Sequence, residues 1–174
     1  KLKKNDEVVF ELSSWRLEPL VDRQLSPGTA VVTSIFRDHL NTYNSWEEYM
    51  ETKKIIIQYQ KPEDWALVNM DDPILRTWEK EVAGKLVSYS LGDYGREGIF
   101  IMNNAVVIRQ QGRETSILAV KDLPVEHDHE RRNLLPAIWL GWQRGMASAE
   151  IKQTISKFHP LPHRLESLGA VNGV

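Results

Sequence analysis

Short apolar runs separated by turn residues mark the predicted strands in the first half of the chain. Residues 7–12 (EVVFEL) form one such run, which predicts a buried strand. Residues 29–35 (TAVVTSI) follow a Ser-Pro-Gly turn, are apolar on both faces and are rich in β-branched side chains. That pattern is typical of a central parallel strand. Residues 65–69 (WALVN) predict a further strand.

Between these strands, apolar positions recur at the spacing of a helix. Residues 45–60 predict a helix that Ser45 caps, since Glu48 follows at the capping-box spacing. A second helix is expected from Asp71-Asp72-Pro73 to about residue 82, because proline suits the first helical turn. The other predicted elements are strands at 86–90, 98–102, 105–109, 116–120 and 165–174, and helices at 133–145 and 148–158.

Strands that alternate with helices indicate an α/β fold. We expect a mainly parallel sheet flanked by helices. The Asn103-Asn104 pair between two short strands predicts a hairpin, so a small antiparallel insertion is expected near residues 98–120.

Composition narrows the classes of function. The chain has 174 residues and a formal net charge of −2, from 22 basic and 24 acidic side chains. Neither nucleic acid nor an anionic membrane is therefore an expected partner. Cysteine is absent, which excludes disulfides and thiolate metal sites, and no apolar run approaches the ~20 residues that cross a bilayer. We expect a cytoplasmic protein.

Two polar stretches follow predicted strands, at the edge where α/β sheets place ligands. Glu11 ends the first strand, and Asp38-His39 follows the second. Glu11 is thus placed where a ligand would bind, and the Asp38-His39 pair is well placed to bind a metal ion or phosphate. A strand-end carboxylate satisfied by nearby amides, and an ordinary Asp-His loop, are the plainer interpretations.

Lys53 lies on the apolar side of the helix predicted for residues 45–60. Lysines at such positions usually lay their stem along the core edge. Alternatively, burial lowers the pKa of the ammonium enough for it to react with carbon dioxide. The resulting carbamate is an anionic oxygen ligand that suits Mg²⁺.

Four histidines cluster near the end of the chain and raise the alternative of a zinc site. The pair His127 and His129 would share a face of a strand. His159 and His163 flank two prolines, which exclude a helical i, i+4 pair. Zinc is therefore the less favoured interpretation.

Five separated motifs together resemble the middle domain of the Mur ligases, in the order and at nearly the spacing of that family. They are Glu11-Leu-Ser-Ser-x-x-Leu-Glu18, Thr33-x-x-x-x-Asp38-His39-Leu40, Glu48-Tyr49-x-x-x-Lys53, Asn69-x-Asp71-Asp72 and Phe158-His-Pro-Leu-Pro-His163-Arg164-Leu-Glu166. The Glu-Leu-Ser-Ser form is that of the members that add D-glutamate. The resemblance implies a fold of the P-loop NTPase type.

The resemblance also implies metal ligands. Glu11 matches a carboxylate that helps to hold Mg²⁺ near the ATP phosphates. His39 matches a ligand of a second Mg²⁺, and Lys53 matches a lysine whose carbamate serves that second ion. His39 and Lys53 are accordingly the predicted catalytic residues.

Contacts with the substrates follow in the same way. Ser13 matches a residue close to the muramoyl-alanine substrate, Asn133 an asparagine near adenine, and Arg164 an arginine that meets the ribose and phosphates. The implied enzyme is an ATP-dependent ligase of peptidoglycan synthesis. It joins D-glutamate to UDP-N-acetylmuramoyl-L-alanine through an acyl phosphate, and it is expected to act as a monomer.

The chain departs from the family pattern in ways that raise an alternative. Glu130 replaces an asparagine near the adenine contact, and Asn41, Arg16 and Pro160 replace an aspartate, a glutamine and a glycine. No Gly-x-x-x-x-Gly-Lys-[Ser/Thr] phosphate loop occurs. We therefore expect an incomplete middle domain at residues 1–163, the start of a C-terminal domain at 164–174, and no activity of this segment alone. A degenerate relative that binds nucleotide or a partner without catalysis is the alternative.

Overall fold

Six strands and five α-helices are found within residues 3, 6–37 and 42–159, the part of the chain that the computed structural model describes. The strands are β1 (Thr29–Val32), β2 (Trp65–Asn69), β3 (Lys85–Ser90), β4 (Gly98–Met102), β5 (Ala105–Gln110) and β6 (Arg113–Ala119). The helices are α1 (Ser14–Leu17), α2 (Trp46–Gln58), α3 (Pro73–Thr77), α4 (Asp128–Gln143) and α5 (Ser148–Ile155). The strands form one sheet in sequence order. The α/β class is thereby confirmed.

The chain divides into two compact units, residues 1–88 and 89–174. In the first unit, β1 and β2 pair in parallel, from Thr29 opposite Trp65 to Val32 opposite Val68. Both strands carry buried apolar side chains, as their composition predicts. The core around them consists of Ala30, Val32, Ile35, Tyr43, Tyr49, Ile57, Ala66, Val68, Met70, Leu75 and Trp78.

Helix α2 begins where its capping signal predicts. The Ser45 hydroxyl accepts a hydrogen bond from the Glu48 N–H at 3.1 Å. The Glu48 carboxylate does not return to Ser45 but accepts from the Asn44 N–H at 2.8 Å. The first of these bonds satisfies a backbone donor that the first turn of a helix leaves without a partner, and the second holds the residue that precedes the cap.

In the second unit, β4, β5 and β6 are antiparallel, which confirms the predicted insertion. Asn103 and Asn104 join the first two strands with φ of 50° and 57°. Asparagine tolerates these left-handed angles better than most side chains, and two such residues match the twist of a hairpin. Helix α4 packs against β4, and α5 packs against β6.

The strand predicted at residues 7–12 is wrong. The segment forms no strand, and Val9 and Phe10 are 96% and 72% exposed. An apolar run supplies side chains for a strand but does not supply the neighbouring strand whose N–H and C=O groups it must pair with. Glu11 therefore lies in an irregular segment before α1 and not at the end of a buried strand.

Several predicted boundaries also move. The helix predicted to about residue 82, for example, ends as α3 at Thr77 and is followed by a 3-10 helix at Trp78–Glu81. Strand β1 ends at Val32 and not at Ile35. Helix α4 begins at Asp128, five residues before the predicted start, and the Glu130 carboxylate accepts from the His127 N–H at 3.3 Å. Acidic residues stabilise the first turn of a helix.

The predicted strand at 165–174 lies outside the described residues. Within the described ranges, no helix has the length and apolar character to span a membrane.

Candidate functional site

A cavity opens at the carboxyl end of β1, the end of a parallel strand at which α/β sheets place ligands. Its volume is about 270 Å³. Three stretches of the first unit line it: Phe10, Glu11 and Leu12 from the segment before α1, Val31 to Ser34 from β1 and the residues after it, and Lys53 and Ile56 from α2. Two predicted site residues, Glu11 and Lys53, therefore line the same cavity.

Lys53 reaches the cavity from the core side of α2. Tyr49 and Ile57, one turn before and one turn after it, are 3% and 0% exposed. Lys53 itself is partly buried, and its Nζ lies 5.5 Å from the centroid of the Tyr49 ring. That distance is within the range of a cation–π contact. The predicted location of Lys53 on the apolar face is confirmed, whereas its carbamylation stays a prediction.

The aromatic residues beneath Lys53 are fixed by their own contacts. Tyr43 and Tyr49 pack edge to face with ring centroids 5.5 Å apart. The Tyr43 hydroxyl donates a hydrogen bond to Glu18 Oε1 at 3.1 Å. Burial raises the pKa of Tyr43, and the Glu18 carboxylate raises it further. Tyr43 is thus a neutral, well-held support for the helix face that carries Lys53.

The neighbouring Lys54 has a different environment. Its Nζ lies 2.8 Å from Glu51 Oε1 and 2.8 Å from Glu81 Oε2. Burial acts to lower the pKa of Lys54, but the two carboxylates outweigh it, and the pKa is raised. Lys54 is therefore held as an ammonium ion on the side of α2 away from the cavity lining.

Glu11 and Ser13 lie close together in sequence but have different surroundings. Glu11 is exposed and lines the cavity. Ser13 is the residue before α1, in extended backbone, and its carbonyl accepts from the Arg16 N–H at 3.0 Å. Its hydroxyl does not cap that helix.

The other predicted site residues are not brought to this cavity by the described structure. Asn133 is exposed on α4 in the second unit. His39 and Arg164 lie outside the described residues. The histidine pair also belongs to the second unit, where the His127 and His129 rings stack with centroids 5.7 Å apart. Among the described residues, no three histidine, aspartate or glutamate side chains converge as metal ligands.

Sequence reasoning missed Thr33 and Ser34 as cavity residues and assigned no function to the Asn69-x-Asp71-Asp72 motif. The Asn69 amide donates to the Thr33 carbonyl at 2.8 Å. Asp72 Oδ2 accepts from the Ile35 N–H at 2.9 Å. The motif is recognisable in the sequence, but only the folded structure shows that it lies beside the end of β1.

The lining of this cavity offers oxygen ligands of the kind that Mg²⁺ binds. Mg²⁺ usually keeps several waters and takes one or two protein carboxylates. Glu11 supplies one carboxylate, and Thr33 and Ser34 supply hydroxyl oxygens. An unmodified Lys53 ammonium would repel the ion, whereas a carbamate would add an anionic oxygen ligand. The donor set therefore fits Mg²⁺ when Lys53 is carbamylated.

Comparison with known families gives a match over most of the chain. Residues 1–130 match the Mur ligase middle domain. The UDP-N-acetylmuramoylalanine–D-glutamate ligase of Symbiobacterium thermophilum is 35% identical over 169 residues, which are 96% of this chain and 36% of that protein. The ligase of the same name from Geotalea uraniireducens is 33% identical, over 97% of this chain and 37% of that protein. The chain thus spans little more than a third of the length of these relatives.

Solved structures share the fold at lower identity. A UDP-N-acetylmuramoyl-L-alanyl-D-glutamate–2,6-diaminopimelate ligase has a TM-score of 0.67 and 21% identity, over 92% of this chain and 34% of that one. A MurF ligase from Thermotoga maritima in complex with ADP has a TM-score of 0.53 and 17% identity, over 80% of this chain and 32% of that one. At these identities the likeness establishes the fold alone.

Proposed function

Because the chain belongs to the Mur ligase family through its middle domain, we propose that it forms the ATP- and Mg²⁺-binding part of a ligase that adds D-glutamate to UDP-N-acetylmuramoyl-L-alanine. The names of its relatives support this substrate pair. The structural observation that supports it most is the cavity shared by Glu11 and Lys53 at the carboxyl end of β1. We place the reaction in the cytoplasm and expect a monomeric complete enzyme.

Each predicted site residue has a defined task in this proposal. Glu11 would help to hold one Mg²⁺ near the ATP phosphates, and His39 and carbamylated Lys53 would hold a second. Bound Mg²⁺ would supply positive charge that offsets the charge of the phosphates. Asn133 and Arg164 contact the nucleotide. Ser13 contacts the muramoyl-alanine substrate, and its place two residues after Glu11 suits a substrate next to the metal site.

The reaction requires two transfers. An oxygen of the alanine carboxylate takes the γ-phosphoryl group of ATP, and ADP leaves. The amine of D-glutamate then attacks the acyl carbon and loses a proton, and phosphate leaves as the amide forms. The protein contributes mainly positioning and charge neutralisation, which are the main demands of phosphoryl transfer.

The degenerate, non-catalytic relative remains the second candidate because Glu130 replaces an asparagine of the family pattern. The structure gives this residue a local task, since its carboxylate accepts from the His127 N–H at the start of α4. A residue committed to capping a helix is less available to bind adenine.

Phosphate release by the complete gene product separates the two candidates. The assay contains ATP, Mg²⁺, UDP-N-acetylmuramoyl-L-alanine and D-glutamate, and each of the last two is omitted in turn. We expect release that requires both. A folded protein that binds nucleotide but releases no phosphate would refute the ligase and support the degenerate relative.

A further inference from the structure

The backbone that follows β1 is held by side chains and not by strand pairing. The parallel register with β2 ends at Val32, yet Ile35, three residues on, is 4% exposed and belongs to the core. Thr33 and Ser34, between these two residues, line the cavity. The position of this part of the cavity wall therefore depends on whatever holds residues 33–35.

Two side chains from the end of β2 hold it. Asn69, which is 2% exposed, donates from Nδ2 to the Thr33 carbonyl at 2.8 Å, and its Oδ1 accepts from the Asp71 N–H at 3.0 Å. Asp72 Oδ2 accepts from the Ile35 N–H at 2.9 Å. Side-chain hydrogen bonds thus hold the segment on both sides of Ser34, at the Thr33 carbonyl and at the Ile35 N–H.

Asp72 has a second task that can be separated from the first. Its Oδ1 accepts from the Ile74 and Leu75 N–H groups at 2.9 and 3.1 Å and so caps α3. One carboxylate therefore fixes the cavity wall and the start of α3 relative to each other. Asparagine caps helices about as well as aspartate, but its NH₂ group cannot accept a hydrogen bond.

We propose that Asn69 and Asp72 are positioning residues for the metal–triphosphate site, which they serve by fixing the Thr33–Ile35 backbone as a rigid cavity wall. The inference rests on the proposed function, because that function supplies the Mg²⁺ and ATP that the wall would face. Neither residue needs to touch the ligand. A small displacement of a preorganised site weakens the interactions made there, and this is the effect that loss of the ties would have.

The Asp72→Asn variant of the complete protein tests the proposal. Oδ1 can still cap α3, while an NH₂ group now faces the Ile35 N–H. We expect amide hydrogen exchange at Ile35 to accelerate at least tenfold, and the Mg²⁺ concentration for half-maximal ATP binding to rise at least tenfold. Asn69→Asp, which removes the donor to the Thr33 carbonyl, is the second variant and should shift the Mg²⁺ dependence in the same direction.

Asp64→Asn is the matched control. Asp64 Oδ2 accepts from the Lys61 N–H at 2.7 Å, so the same chemical change removes a similar bond just before β2 begins. It should leave the Mg²⁺ dependence unchanged. Wild-type Mg²⁺ dependence in Asp72→Asn despite fast exchange at Ile35, or an equal shift in Asp64→Asn, would overturn the proposal.

Phosphate release and the Mg²⁺ dependence of ATP binding together distinguish failure of the positioning role from failure of the proposed ligase function. If the wild type releases phosphate and Asp72→Asn has normal Mg²⁺ dependence, the positioning role fails and the ligase stands. If the wild type binds ATP with Mg²⁺ but catalyses no ligation, the ligase fails, and the shift in Asp72→Asn still decides the positioning role. A wild type that binds no ATP would overturn both.

Discussion

The two ends of β1 and β2 are built from similar polar residues but use them differently. Each end has a cavity, of about 270 Å³ at the carboxyl end and about 290 Å³ at the amino end. At the amino end, the polar side chains mostly satisfy nearby backbone groups. At the carboxyl end, some polar side chains also bond to nearby backbone groups, whereas Glu11 and Lys53 line the cavity.

Ser26 and Gln60 illustrate the amino end. The Ser26 hydroxyl donates to the Ile55 carbonyl at 2.6 Å and accepts from the Tyr59 N–H at 3.0 Å. The Gln60 amide donates to the carbonyls of Pro27 and Trp65 at 3.0 and 2.8 Å. These bonds join the end of α2 to the starts of the two strands, so their expected contribution is to stability.

The two cavities are similar in size, so cavity size does not distinguish the two ends of these strands. The predicted metal ligands Glu11 and Lys53 line the cavity at the carboxyl end. In open α/β sheets, ligands bind outside the carboxyl ends of the strands, where the connecting loops and the N-termini of the following helices lie. Changes at the carboxyl end should therefore alter activity, and changes at the amino end should alter stability.

The largest expected effect is that of Lys53→Ala in the complete protein. Loss of one group that helps to stabilise transferred charge typically costs about 10²- to 10³-fold in rate, and we expect phosphate release to fall at least that far. Short-chain carboxylic acids should restore part of the activity by replacing the carbamate oxygens. Thermal stability should change little.

Lys54→Ala is the matched control for that variant. It removes ion pairs to the exposed carboxylates of Glu51 and Glu81, which are worth at most about 1 kcal/mol. Activity should stay near that of the wild type. Full activity in Lys53→Ala would exclude the carbamate and remove the main distinction between the two ends.

Gly84→Ala should have the largest effect on stability at the amino end. A Cβ at this position would lie 2.6 Å from the Asp64 carbonyl oxygen and 3.1 Å from that of Lys61. Both are backbone atoms, which cannot move aside as a flexible side chain would. We expect a loss of about 1–3 kcal/mol in the free energy of unfolding, as is usual for overpacking.

Urea unfolding measures that loss, and Gly92→Ala provides the reference, since nothing lies within 4 Å of its added Cβ. The folded fraction of Gly84→Ala should keep wild-type activity. A specific loss of activity without loss of stability would break the proposed division between the ends.

Ser26→Ala should cost about 1–2 kcal/mol of unfolding free energy, because the Ile55 carbonyl and the Tyr59 N–H would both lose a partner. Ser156→Ala removes an exposed hydrogen bond to the Gln153 carbonyl and should cost less. Equal losses in the two variants, measured by chemical denaturation, would mean that the Ser26 bridge adds nothing to the amino end.

The smallest effect is expected at a charge cluster in the second unit. Because this cluster lies outside β1 and β2, it serves as a reference for both ends of those strands. The Arg109 guanidinium, with help from the Gly95 N–H, lowers the pKa of Asp93 to about 2. The folded-state pKa lies below the usual value of ~3.9. The cluster therefore stabilises the fold above about pH 4, and this contribution is lost as the pH falls towards 2.

Asp93→Asn should remove that part of the acid dependence and cost less than about 1 kcal/mol at neutral pH, because the pair is partly solvated. Unfolding monitored between pH 5 and 2 in both proteins checks the slope. An unchanged slope would show that the ion pair does not couple to folding.

The amino-acid sequence predicted the elements whose signals are local. The five residues of β2, the two asparagines of the β4–β5 turn and the Ser45 cap of α2 are each recognised from neighbouring side chains. Helical periodicity likewise placed Lys53 on the apolar face of α2. These features depend on backbone propensity and side-chain period, which act over a few residues.

Tertiary structure decided the rest. Residues 7–12 have no strand partner, although their composition favours a strand. Glu11 nevertheless lines the same cavity as Lys53, from an irregular segment and not from the end of a strand. It also joined Asn69 and Asp72 to the backbone of Thr33 and Ile35, across more than 30 residues of chain. Such pairings depend on where distant N–H and C=O groups meet, because every buried backbone group needs a partner and the local sequence does not specify which one.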